Sequence, residues 1–157
     1  RLEDILKAIS IILDKFKNVV FLIPLHKNKI VRDPIIDILG KEKRALLVES
    51  LDYCEMISVI NSSKFLLTDS GGLQEEAPAL GKPVLILRDT TERKEAIDAG
   101  TAKLIGVRID NIVKNTSELL NNSALYESMA RAKNPFGDGK SSQRILNHCL
   151  DFLDIKS

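Results

Sequence analysis

The run Thr68-Asp69-Ser70-Gly71-Gly72-Leu73-Gln74-Glu75-Glu76-Ala77-Pro78 sets small side chains where a buried strand passes into a helix. The preceding Lys64-Phe65-Leu66-Leu67 reads as a strand of the buried, parallel kind, and Ser70 is a residue type suited to the N-cap. Backbone N–H groups at a helix start lack intrahelical acceptors. Glycines at 71 and 72 leave those groups open to close approach by a phosphate, and the helix dipole adds attraction. Glu76 stands one turn beyond Gly72 on the same helix face. A carboxylate there repels phosphate but accepts hydrogen bonds from sugar hydroxyls, so the run predicts a nucleotide held by its phosphates and its ribose. The plainer alternative is a capped βα turn followed by solvated glutamates. Pro78 weighs against it, because a proline inside a helix removes a hydrogen bond and costs about 3 kcal/mol. Glu75 and Glu76 do not make an acid/base pair, since adjacent helical residues point about 100° apart.

A second concentration of polar side chains is Arg88-Asp89-Thr90-Thr91-Glu92-Arg93, in an expected strand-to-helix turn. Taken alone, such a turn is more often solvated than functional, and Arg88 with Asp89 could pair to hold it. His26 follows an apolar strand and reads by default as a partly buried imidazole bonded to a backbone carbonyl. His148 is expected on the surface. Cys54 and Cys149 lie far apart without metal-ligand spacing, which fits a reducing compartment and plain thiols.

These residues must be positioned by elements that alternate between helical and strand periods. Helices are expected at 1–17, 29–39, 52–61, after Ser70, 93–99, 109–121, 123–133 and 141–154, with Gly40 and Gly100 as stops. Strands are expected at 19–25, 44–48, 64–68, 83–87 and 102–107. This order predicts an α/β fold: a single Rossmann-like domain with a parallel sheet of about five strands, helices on both faces and right-handed crossovers. Ligands of such sheets gather beyond the carboxyl ends of the strands. His26, Ser50 and Leu51, Ser70, Arg88 to Arg93, and Gly106 each follow a different strand, so the topology is expected to bring them to one rim.

Composition excludes several function classes. Apolar residues make up 44% and charged residues 29% of the chain, with a formal net charge of +1. No polybasic surface calls for nucleic acid or anionic lipid, and no apolar run reaches the ~20 residues that span a bilayer. Trp is absent and aromatics are 4%, which argues against stacking platforms for single strands. The 157 residues are one domain's worth. The chain opens on an amphipathic helix with neither an initiator Met nor a cap, so it is expected to be a piece of a longer, cytoplasmic protein.

From Thr68 to Gly106 the sequence TDSGGLQEEAPALGKPVLILRDTTERKEAIDAGTAKLIG resembles the signature of the non-hydrolysing UDP-N-acetylglucosamine 2-epimerases. The resemblance continues through Pro24-Leu25-His26-Lys27-Asn28, Leu51-Asp52-Tyr53 and Asn134-Pro135-Phe136-Gly137-Asp138-Gly139. It implies the C-terminal, UDP-binding half of a two-domain GT-B-type enzyme, spanning 1–157, with the N-terminal catalytic half absent. The intact enzyme would interconvert UDP-N-acetylglucosamine and UDP-N-acetylmannosamine, for surface polysaccharide assembly, by eliminating and re-adding UDP; this piece alone is expected to be inactive. Implied partners are UDP or UDP-N-acetylglucosamine, the other domain, and a second copy in a homodimer, with no nucleic acid and no membrane.

The resemblance also implies residue roles. Ser70, Gly71 and Gly72 would contact the diphosphate, Glu76 the ribose, and Arg93 the UDP moiety, where a planar guanidinium pairs with phosphate oxygens; Asp89 is assigned to structure. Leu51 and Met56 correspond to the uracil-flanking region. Here Met56 stands where Phe is common and Ser50 where Pro is usual, and Met56 reads equally as core. His26 would lie at an allosteric second UDP-sugar site. No catalytic residue, metal or cofactor is expected in this chain, since the family's acidic residues and its His-Arg-Arg-Glu histidine have no counterpart here. Rival readings are a GT-B glycosyltransferase, a hydrolysing epimerase and a non-catalytic UDP-sugar-binding module.

Overall fold

The computed structural model describes residues 1–153. In chain order the elements are α1 (Leu2–Lys15), β1 (Phe21–Pro24), α2 (Lys29–Leu39), β2 (Ala45–Val48), α3 (Tyr53–Ser62), β3 (Leu66–Thr68), α4 (Gly71–Ala79), β4 (Val84–Ile86), α5 (Lys94–Asp98), β5 (Ala102–Leu104), α6 (Ile109–Asn121), α7 (Ser123–Ala130) and α8 (Ser141–Phe152). All the expected helices and strands are present. Asp154, the expected end of the last helix, lies outside the described residues.

Helix boundaries follow local chemistry. α3 starts with a capping box in which Asp52 accepts from the Glu55 N–H and Glu55 accepts from the Asp52 N–H, so two otherwise orphaned donors are satisfied. Asn28 caps α2 by accepting from the Ile30 N–H at 3.0 Å. Gly100 ends α5 with φ 79°, a left-handed conformation that favours glycine. Gly40, the other expected stop, is right-handed at φ −62°. The strands are shorter than expected, because extended residues at their ends fall outside the ladders. After β5, for example, Ile105 still donates to Ile86, and then Gly106 turns the backbone at φ 70°.

Every strand pairing is parallel. The hydrogen-bonded ladders form two groups, β1-β2 and β3-β4-β5. Around the larger group the two-residue alternation of a strand sorts side chains between helical layers. Phe65, Leu67, Leu85, Leu87 and Ile105 meet Ala8 and Ile12 of α1, Ile112 and Leu119 of α6, and Met129 of α7. On the other face, Leu66, Val84, Ile86, Ala102 and Leu104 meet Ile60 of α3, Ala77 of α4 and Ala96 of α5. β4 lies in the middle, and all three of its residues are buried. β1 and β2 bury Ile23, Ala45 and Leu47 against α1 and α2. Helix α1 serves both groups, with Ala8 and Ile12 in one core and Leu6, Ile9 and Leu13 in the other. The opposite face of β1 and β2 is open, leaving Leu22 and Leu46 exposed.

Candidate nucleotide-binding site

The turn between β3 and α4 is closed from behind. The hydroxyl oxygen of Thr68 accepts from the Ser70 N–H at 3.0 Å, and the Ser70 carbonyl accepts from the Gln74 backbone N–H at 3.3 Å and from Gln74 Nε2 at 3.2 Å. Ser70 occupies the N-cap position with extended backbone, yet its side chain makes no capping bond. That departs from the expected cap, because the turn is held by Thr68 and Gln74 instead. The hydroxyl of Ser70 is exposed, as is Gly72, and the first N–H groups of α4 have no intrahelical acceptor. These donors and the positive end of the helix dipole suit an anion.

Arg93 reaches this helix start from the turn after β4. A Cβ placed on Gly71 would lie 2.8 Å from Arg93 Cζ and 2.9 Å from its Nη2. Gly71 is not among the glycines with positive φ, so a side chain there would meet the guanidinium and not a backbone restriction. Arg93 Nε donates to Glu75 Oε1 at 2.9 Å, and its Nη1 donates to Glu92. The second oxygen of Glu92 accepts from Arg88 Nη1 at 2.9 Å. A hydrogen bond from its own backbone N–H, followed by the charges of Arg88 and Arg93, holds the Glu92 carboxyl below the ordinary glutamate value.

Arg88 and Asp89 do not pair with each other. Arg88 meets Glu92 four residues on in the same loop, and exposed Asp89 lies 3.9 Å from the Arg1 guanidinium. Asp89 also reaches within 3.4 Å of the space a Gly106 side chain would fill, which joins the turns after β4 and β5. Glu76 is half-buried one turn beyond Gly72 and makes no hydrogen bond or ion pair among the described residues. Leu51 is half-buried ahead of the α3 capping box. Met56 packs against the core cluster around Ile60, Val84 and Ile86, as its core reading expects. His26 is exposed, and its Nδ1 accepts from the Asn28 N–H at 3.0 Å. The default expectation of a partly buried imidazole donating to a carbonyl is therefore corrected: the loop after β1 turns the ring outward and uses it as an acceptor. Cys54, Cys149 and His148 are exposed.

Gln74 and Thr91 were not singled out from the sequence. Gln74 is fully buried, and its Oε1 accepts from the Thr91 hydroxyl at 2.8 Å. The readable signal was its spacing, since Gln74, Ala77 and Pro78 share the buried face of α4 and a polar residue on such a face requires partners. Among the described residues no group of three or more His, Cys, Asp or Glu side chains is placed to hold a metal, and no helix is long and apolar enough to cross a membrane. A shallow cleft of about 620 Å³ is lined by Ala99, Lys133, Asn134, Pro135, Gly137, Asp138 and Arg144.

The model of the family described as UDP-N-acetylglucosamine 2-epimerase matches residues 1–150. The chain belongs to this family. It is 44% identical over 144 residues to the UDP-N-acetylglucosamine 2-epimerase of Escherichia coli strain K12, covering 92% of this chain and 38% of that relative. It superposes on the Neisseria meningitidis UDP-GlcNAc 2-epimerase bound to UDP-GlcNAc with a TM-score of 0.91 at 43% identity, covering 96% of this chain and 40% of the other. A co-structure of S. aureus MnaA with UDP gives a TM-score of 0.92 at 42% identity, over 99% of this chain and 42% of that one. The chain thus spans about two fifths of the length of these relatives, and the GT-B relationship of its fold follows from the solved neighbours.

Proposed function

We propose that this chain is the UDP-binding part of an enzyme that interconverts UDP-N-acetylglucosamine and UDP-N-acetylmannosamine by elimination and re-addition of UDP. The observation that carries the reading is the Arg93 guanidinium lying against Gly71 at the open N-terminus of α4. There the N–H groups of the first helical turn, the Ser70 hydroxyl and Arg93 converge on a diphosphate, while Glu76 accepts from the ribose hydroxyls. In the free protein Glu75 and Glu92 hold the guanidinium. A diphosphate competes with them, and it wins on charge and on the forked match between guanidinium and phosphate oxygens.

Elimination breaks the bond from the sugar C1 to the diphosphate oxygen and removes the proton at C2. Negative charge accumulates on the departing UDP, and donors fixed before the reaction stabilise that charge without reorganising. This chain's contribution is therefore leaving-group binding. The acid and base at C2 belong, in this reading, to a second domain, and Leu51 and Met56 flank the uracil. Family membership favours the epimerase over a glycosyltransferase or a non-catalytic module.

Calorimetric titration of the chain with UDP, beside a Ser70→Ala/Glu76→Ala variant, tests the site. Binding is expected to weaken by roughly 1 to 3 kcal/mol in the variant, the scale of hydrogen bonds to charged groups. Equal affinities in the two proteins would rule out this rim.

A further inference from the structure

We infer that Gln74 and Thr91 are positioning residues for Arg93, tying the helix start to the guanidinium so that both donors face one anion. This rests on the diphosphate reading above and adds to it the device that aligns the site. The connection runs through four consecutive polar groups. The Ser70 carbonyl accepts from Gln74 Nε2 at 3.2 Å, Gln74 Oε1 accepts from the Thr91 hydroxyl at 2.8 Å, and the Thr91 oxygen accepts from the Arg93 backbone N–H at 3.1 Å. Arg93 then extends back over Gly71, the first residue of Gln74's own helix.

Gln74 is fully buried, and both ends of its amide are used. A side-chain amide donates from one end and accepts at the other within a single planar group. A carboxylate at position 74 would turn an oxygen toward the Ser70 carbonyl, and an apolar residue would leave the half-buried Thr91 hydroxyl without its acceptor, so the position favours an amide. Thr91 in turn uses its hydroxyl proton on Gln74 and its lone pair on Arg93, which sets the backbone at 93 two hydrogen bonds from α4. The strands β3 and β4 deliver the two turns side by side; they do not set the rotation of the second turn about the first. Gln74 and Thr91 do.

The test uses Thr91→Val, which keeps shape and deletes the hydroxyl, and Thr91→Ser, which restores it. In the free protein the Arg93 Nε–Hε resonance, hydrogen-bonded to Glu75 in the wild type, is expected to shift in Thr91→Val and return in Thr91→Ser. UDP affinity is expected to fall about tenfold in Thr91→Val, the effect of one misplaced charged hydrogen bond, and to recover in Thr91→Ser. Because Gln74→Leu removes a buried partner and could unfold the turn, Thr91 carries the test and Gln74→Leu is read only by the same resonance in protein that melts cooperatively. An Arg93 resonance unmoved in Thr91→Val overturns the positioning role whether or not UDP binds. A wild type that binds no UDP overturns the diphosphate reading, while a shifted resonance in the same protein still supports the tie between the two turns. A melting midpoint lowered alike in Val and Ser variants, with affinity lost in both, marks Thr91 as merely structural and overturns the inference.

Discussion

Gly71 and Gly72 are chemical twins with different surroundings, and substitution separates them. Alanine at 71 meets the Arg93 guanidinium at 2.8 Å. Being the end of a flexible side chain, the guanidinium swings away at little cost to the fold, so Gly71→Ala is expected to leave the melting midpoint nearly unchanged while weakening UDP about tenfold, the loss of one charged contact. Alanine at 72 has only Ser70 Oγ nearby, at 4.0 Å, and gains up to about 1 kcal/mol of helix propensity; denaturant unfolding should show Gly72→Ala as the more stable protein. Glu92 provides a pH prediction at the same scale. Its carboxyl lies below the ordinary glutamate value of 4.5, so its contribution to stability is complete above that pH and is lost as pH falls through the lowered value. An NMR titration should find its midpoint below 4.5 and find it moved upward in Arg88→Ala; a midpoint at or above the ordinary value would contradict the observed pairing. The sequence placed Arg93 in a polar turn but could not choose its partners, because Glu92 and Asp89 are both near along the chain while Glu75 is 18 residues away.

Among the elements, β4 bears the most of the fold. Leu85 faces one helical layer and Ile86 the other, and both are at or below 1% exposure. Ile86→Ala is expected to cost about 2–5 kcal/mol, the range for truncating a fully buried aliphatic side chain, whereas Leu22→Ala on the open face of β1 should stay within about 1 kcal/mol. Urea unfolding of the two variants decides this, and comparable losses would mean that the two faces are not differently covered. Helix limits were largely legible, since capping residues such as Asn28, Asp52 and Asn122 act within three residues of themselves. Strand limits were not, because a strand ends where its neighbour stops pairing, and that neighbour is remote in sequence.

For the whole molecule the main consequence concerns the two ladders. Phe21 of β1 and Leu25 just after it donate toward β2, and Leu66 of β3 donates toward β4; the alternation of backbone groups turns the Leu22 and Leu67 amides the other way. Hydrogen exchange of this chain should therefore be orders of magnitude faster at Leu22 and Leu67 than at Leu85, which lies inside the three-stranded group. Equally slow exchange at all three would indicate one continuous sheet. The rim at the strand ends has the same open character. Its donors are not among the residues that line the cleft at Ala99 and Asn134.

What the sequence by itself determined is local in origin: the order of helices and strands, and a glycine-led helix start after a buried strand. The resemblance to the epimerases was legible too, because it resides in one continuous run from Thr68 to Gly106. Tertiary structure alone decided that Arg93 lies over Gly71, that Gln74 bonds Thr91, that Arg88 prefers Glu92 to Asp89, that His26 faces outward, and that the strands pair in two groups. The physical reason is distance along the chain. The contacts that shape the rim join residues 17 and 18 positions apart, beyond any helical or strand period, and they exist only once parallel pairing has set the turns after β3 and β4 side by side.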